Sequence, residues 1–211
     1  MDTNAEPMNV LFIGNSFTAR NDLTGTIARL AESQGERLDH ELISVNGASL
    51  RMHWNKGAAR RAIEDAPRDV VVLQEQSTLP IKNAKRFHEN VRLFDEVIRA
   101  SGARTALYLT WARRHAPETQ RALTDAYGAI GAELGALVVP AGVVWERFRA
   151  THERPELYDA DGSHPSAAGS YLAACVFVRA LLGKSPVGAP VHGGVGPAEA
   201  AWLQEAAATG A

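Results

Sequence analysis

Short apolar runs alternate with amphipathic stretches along this chain. Val10–Ile13, Leu42–Val45, Val70–Leu73, Ala106–Leu109 and Leu137–Val139 are apolar blocks bounded by polar or turn residues, the pattern of strands buried on both faces. Between them the apolar positions take up the helical period of about 3.6 residues. Leu23, Ile27, Leu30 and Ala31 form one stripe, with Asn21 or Asp22 as its cap and Gly35 as its stop. Phe87, Val91, Phe94, Val97 and Ile98 form a stronger one, closed by Gly102 at the C′ position. Leu123, Tyr127, Ile130 and Leu134 form a third, and Pro117 suits its first turn. A fourth helix is expected from Pro165 to about Leu182, and a short closing one from Pro197 to Ala208 after a Gly/Pro loop.

This alternation predicts an α/β protein: a three-layer α/β/α arrangement around a flavodoxin-like, doubly wound sheet of about five parallel strands. Residues 1–211 are expected to form a single domain. In such sheets function gathers at the carboxyl ends of the strands. Ser16, Gly47, Gln74 to Gln76, Thr110 to Trp111 and the segment before His164 all fall there or can reach it.

Composition narrows the function. A net charge of −2 supplies no basic field for nucleic acid or an anionic membrane. The one cysteine, Cys175, allows no internal disulfide and no Cys-based metal motif. Neither H-x-x-x-H nor H-E-x-x-H spacing occurs among the histidines, so no metal is expected. Met1 to Asn9 lack the basic and apolar regions of a secretory leader, and no run is long enough to span a membrane. The expectation is a cytoplasmic protein whose partner is a small molecule or carbohydrate, with no cofactor. The oligomeric state is left open.

Ser16 follows a strand and precedes a helix, where a hydroxyl faces the active edge and a backbone N–H can help bind an oxyanion. A serine needs an adjacent base to become a nucleophile; alone, Gly14-Asn15-Ser16 reads more readily as a turn or cap after a strand. His164 stands before Pro165, and Asp161, three residues earlier, can fold back onto its imidazole. The same segment also reads as a helix start rich in capping residues.

Together the two segments resemble the SGNH hydrolases, also called GDSL-type esterases and lipases. The more specific match is Asp161-Gly-Ser-His164-Pro-Ser-Ala-Ala-Gly169; Gly14-Asn15-Ser16 stands where the family has Gly-Asp-Ser. The resemblance implies Ser16 as nucleophile, His164 as base and Asp161 as the group that orients the histidine. It also implies Gly47, in Asn46-Gly47-Ala48-Ser49, as an oxyanion donor beside the Ser16 N–H. The chain departs from the family after the third strand: Gln74-Glu75-Gln76-Ser77 replaces the usual Gly-x-Asn-Asp. A glutamine amide can donate the same hydrogen bond. Gln76 is the first candidate and Gln74 the second, since strand alternation puts both on one face and Glu75 on the other.

Trp111 and His53 are candidates for a substrate-pocket wall, and Arg113 or Arg114 for contact with an anion. His88 reads as a surface residue; His152 and His192 carry no partner pattern. Two functions follow. One is a serine hydrolase that cleaves a short-acyl or O-acetyl ester, including esters on carbohydrate. The other is a catalytically degenerate module of the same fold that binds a glycan or anionic small molecule. The first predicts that Ser16 and His164 side chains meet within hydrogen-bond reach, and that activity falls in acid as the imidazole protonates.

Overall fold

The computed structural model describes residues 6–210, so part of the segment read for a leader, residues 1–5, lies outside it. Five strands form one sheet in the order β2-β1-β3-β4-β5, every neighbouring pair parallel. In chain order the elements are β1 (Met8–Gly14), α1 (Ser16–Ala19), α2 (Leu23–Ser33), β2 (Leu38–Ser44), α3 (Leu50–Lys56), α4 (Ala58–Glu64) and β3 (Val70–Leu73). There follow α5 (Leu79–Lys82), α6 (Ala84–Ala100), β4 (Arg104–Tyr108), α7 (Gln120–Leu134), β5 (Leu137–Val139), α8 (Ala141–Thr151), α9 (Ala167–Leu182) and α10 (Pro197–Thr209).

Strand alternation separates two cores. Val10 and Phe12 of β1, Val70 and Val72 of β3, and Ala106 and Tyr108 of β4 face α2, α8, α9 and α10. Leu11, Ile13, Val71, Leu73 and Leu107 face the opposite way, onto α3, α4, α6 and α7. The central strands are covered on both faces, which is why they read as unbroken apolar runs. β2 differs from expectation: it begins at Leu38, ends before Val45, and exposes Asp39, His40 and Glu41. It is an edge strand, and charged side chains there suppress pairing with another chain.

Two predicted helix starts are also corrected. Asp22 makes no side-chain cap; it and Asn21 lie in the left-handed region with φ of 50° and 55°. Pro165 does not open α9 but pairs with Tyr158 in an antiparallel bridge, leaving Ser166 as the cap of a helix that begins at Ala167. Both departures serve the histidine segment described below.

Candidate active site

β1 delivers the serine side. Gly14 must lack a side chain, since a Cβ there would sit 2.5 Å from Thr18 Oγ1 and 2.7 Å from Gln74 Oε1. Asn15 is buried and held on three sides. Its N–H donates to Gln74 Oε1 (2.8 Å), its Nδ2 donates to Ala48 O (3.0 Å), and its Oδ1 accepts from Phe17 N (3.1 Å) to cap α1. Ser16 is thereby fixed as the first residue of α1, where a helix leaves backbone N–H groups without intrahelical partners. His53 braces the turn from behind by donating from Nε2 to Gly14 O (2.8 Å). Burial pushes the His53 imidazole below its ordinary range, which keeps it neutral.

The histidine side is a surface loop, shaped by Asp161. Its Oδ1 accepts the Ser163 and His164 backbone N–H groups, both at 2.9 Å, and its Oδ2 accepts from His164 Nδ1 at 2.5 Å. The His164 imidazole bond, followed by those two N–H bonds, holds the Asp161 carboxyl well below the usual carboxylate range. Four residues from distant elements pin the loop and the helix start after it. Arg20 pairs with Asp159 at 2.7 Å, Trp111 Nε1 donates to Ser163 O at 3.0 Å, and Arg114 N donates to Gly162 O at 2.8 Å. Asn21 Nδ2 faces Pro165 O, Ser166 O and Ser170 Oγ at 3.1, 3.0 and 2.9 Å; its left-handed backbone turns the amide toward them.

The two sides meet where Ser16 Oγ lies 2.8 Å from His164 Nε2. A carboxylate only accepts, so Nδ1 carries the imidazole proton and Nε2 is left to accept from the serine hydroxyl. The Phe17 ring packs against the His164 ring, with centroids 5.2 Å apart. Both residues open onto a cavity of about 500 Å³ that Gly47, Gln76, Arg20 and Arg113 also line. Gly47 takes φ 67°, a conformation natural to glycine, and among the described residues its N–H has no acceptor.

The two glutamines separate. β3 ends at Leu73, so strand alternation no longer governs residues 74–76. Gln74 is fully buried; its Oε1 serves Asn15 and Thr18 and its Nε2 donates to Glu75 O, so it does not line the cavity. Gln76 lines it, with Oε1 accepting from Thr78 N, Thr78 Oγ1 and Leu79 N, each at 3.0 Å. Those bonds fix which end of the amide is oxygen, and its Nε2 has no partner among the described residues.

Trp111 and His53, read as pocket wall, are buried and absent from the cavity lining. Both are braces: a turn glycine and a loop carbonyl need donors, and the two rings supply them. Trp111 also stacks on Trp145 at 3.7 Å between centroids and 8° between planes. His88 is bonded to Ala126 O at 2.8 Å.

Glu75 is a site residue that sequence reasoning left idle. It is wholly buried, and its Oε1 accepts from Leu50 N (3.0 Å) and Gln76 N (2.7 Å), while Oε2 accepts from Asn90 Nδ2 (2.9 Å). One carboxyl thus ties the loop after β2 to the loop after β3. Burial pushes it above the usual carboxylate range, against the opposing pull of Asn90 and the two N–H groups. The signal was available: an acid directly after an apolar strand must find donors inside. Burial also pushes the Cys175 thiol up to about 12, leaving it an inert core residue.

A second hollow, at the amino ends of β3 to β5, is lined by Asp95 and Arg99, which pair with each other at 2.7 Å. Among the described residues no group of three or more His, Cys, Asp or Glu is placed to hold a metal, and no helix is long and apolar enough to cross a membrane.

No protein-family model matches the chain, and no curated protein matches it significantly. Solved structures do. A candidate SGNH hydrolase from Slackia heliotrinireducens is 29% identical, with a TM-score of 0.74 over 83% of this chain and 100% of that one. A DUF4886 family protein from Bacteroides uniformis is 18% identical, with a TM-score of 0.80 over 96% and 93%. A catalytic mutant of an acetylxylan esterase from Geobacillus stearothermophilus is 14% identical, with a TM-score of 0.65 over 85% and 96%.

Proposed function

We propose that this chain, which has the fold of the SGNH hydrolases, is a serine hydrolase that cleaves a short-acyl or O-acetyl ester. The observation that carries the reading is the unbroken line from Ser16 Oγ through the His164 ring to Asp161, with contacts of 2.8 and 2.5 Å. Ser16 Oγ attacks the ester carbonyl while His164 Nε2 takes its proton, and Asp161 stabilises the resulting imidazolium. The tetrahedral oxyanion is met by the Ser16 and Gly47 N–H groups and by Gln76 Nε2. His164 then protonates the departing alcohol. Water, deprotonated by the same imidazole, attacks the acyl-enzyme to release the acid and restore Ser16.

The cavity is open and mixed in lining, with polar Ser77 and Ser163 beside Phe17, which suits a compact ester carried on a polar or carbohydrate alcohol. The likeness to an acetylxylan esterase is one of fold, and it supports the carbohydrate-ester class by analogy. The test is hydrolysis of p-nitrophenyl acetate and butyrate by the wild type and by Ser16→Ala. The expected loss is about 10⁴- to 10⁶-fold in kcat with the circular dichroism spectrum unchanged. Equal rates for the two proteins, on these esters and on acetylated oligosaccharides, would reject the hydrolase in favour of a binding module.

A further inference from the structure

We propose that Arg113 selects esters that carry a carboxylate, and the proposal rests on the hydrolase reading of the same cavity. Two adjacent arginines follow β4 and the short segment after it, and they are used in opposite ways. Arg114 is occupied: its guanidinium lies 3.2 Å from Glu156 Oε2 and over the Tyr158 ring, and its backbone holds Gly162. Arg113 lines the cavity with Ser16 and His164, and its Nε is buried without a hydrogen-bond partner among the described residues. No ion pair within 4.0 Å is made by Arg113 with any described carboxylate, whereas Arg20, the cavity's other arginine, is paired with Asp159.

A buried charged donor with no acceptor costs stability, so native proteins seldom keep one without a use. Here the use is visible in the lining: not one of the residues around the cavity is acidic. The lining therefore offers cationic side chains and no acidic one, and its one guanidinium without an internal partner stands in the same space as Ser16. With Nε closed off by the protein, the end of the guanidinium is what can face the cavity, and its two terminal amino groups match the two oxygens of a carboxylate. A carboxylate seated there would neutralise a charge that no described carboxylate pairs and would orient the ester toward Ser16.

The test compares each acidic ester with its neutral counterpart, in two arms that distinguish where the carboxylate sits. Monomethyl against dimethyl succinate places it on the acyl part; 3-acetoxybenzoate against its methyl ester places it on the alcohol part. The reading is the ratio of kcat/KM values, acidic over neutral, within each protein, so that partial loss of folded enzyme cancels. The wild type is expected to favour the acidic ester by about 10- to 100-fold in at least one arm, the range of a charge-assisted bond. Arg113→Met should bring that ratio down to about one, and Arg113→Lys should restore part of it.

A wild-type ratio at or below one in both arms, or a ratio that Arg113→Met leaves unchanged, overturns the assignment. Calorimetric titration of Ser16→Ala with 3-acetoxybenzoate and with monomethyl succinate, with and without Arg113→Met, separates this proposal from the one beneath it. Binding that needs Arg113, without turnover that needs Ser16, sinks the hydrolase and keeps the anion site. Turnover that needs Ser16, without a preference for acid, does the reverse.

Discussion

The two halves of the site are held in different ways. Ser16 opens α1 one residue beyond β1, a strand paired on both sides, and its neighbours Asn15 and Gln74 are buried. His164 sits on a surface loop whose orienting carboxylate is half exposed. The serine side gains its precision from packing. The histidine side gains it from bonds borrowed from Arg20, Asn21, Trp111 and Arg114, each anchored elsewhere. A change to the buried supports of Ser16 should therefore register as lost stability, and a change on the histidine side as lost rate in a protein that remains folded.

The largest test of that contrast is Asp161→Asn. The amide can no longer fix the imidazole tautomer or stabilise its cation, and kcat should fall about 10³- to 10⁴-fold. The melting temperature should move little, because the side chain is half in solvent. A large drop in melting temperature would show that the loop belongs to the folding core after all.

On the other side, Glu75→Ala strands the Leu50 N–H, the Gln76 N–H and the Asn90 amide. Denaturant unfolding should show a loss of about 3–5 kcal/mol. Unchanged stability would mean that water replaces the carboxyl without cost, and the contrast would dissolve. Asn21→Ala removes the amide that clasps the start of α9 and puts a Cβ-bearing residue with no local compensation into the left-handed region. We expect kcat to fall about tenfold, with faster hydrogen exchange confined to residues 159–166. Exchange that spreads into β1 would instead show that the two halves unfold as one.

The smallest effect is one of shape rather than size. Asp161, with its carboxyl held low by His164 and Ser163, keeps its charge well into acid. Its stabilising contribution is full above the ordinary carboxylate range and is lost only as pH falls through the lowered folded value. From about pH 8 down to about pH 5 Asp161 should therefore take up no proton, and no step in the pH–rate profile should belong to it. Loss of its carboxylate infrared band within that window would show that His164 and the two N–H groups do not hold the charge.

What the sequence made legible follows the same division. The central strands and the long helices α6, α7 and α9 were readable because burial on both faces, or on one stripe, leaves a periodic trace. That Ser16, Gly47 and the Asp161–His164 pair would come to one place was legible from the convergence of the strand ends and from the family that the two segments resemble. The short helices α3, α4 and α5, and α8 behind Pro140, left no such trace, and they went unpredicted. The edge strand β2 misled for a related reason: half of it faces solvent, so only its apolar end looked like a strand. Trp111 and His53 misled because a ring near the active edge can be wall or brace, and only the location of its polar atom decides. Asn21 and Glu75 were hidden because their partners lie 144 or more residues away in one case and behind a strand in the other.

The indole of Trp111 touches both halves at once, packing against Phe17 beside Ser16 and bonding the carbonyl just before His164. Stacked face to face on Trp145 in the core, it is shielded from water only while that packing holds, so its fluorescence shifts to the red when the packing opens. The protein thus carries its own optical gauge of whether serine and histidine are in register, one that can be followed through refolding without substrate or label.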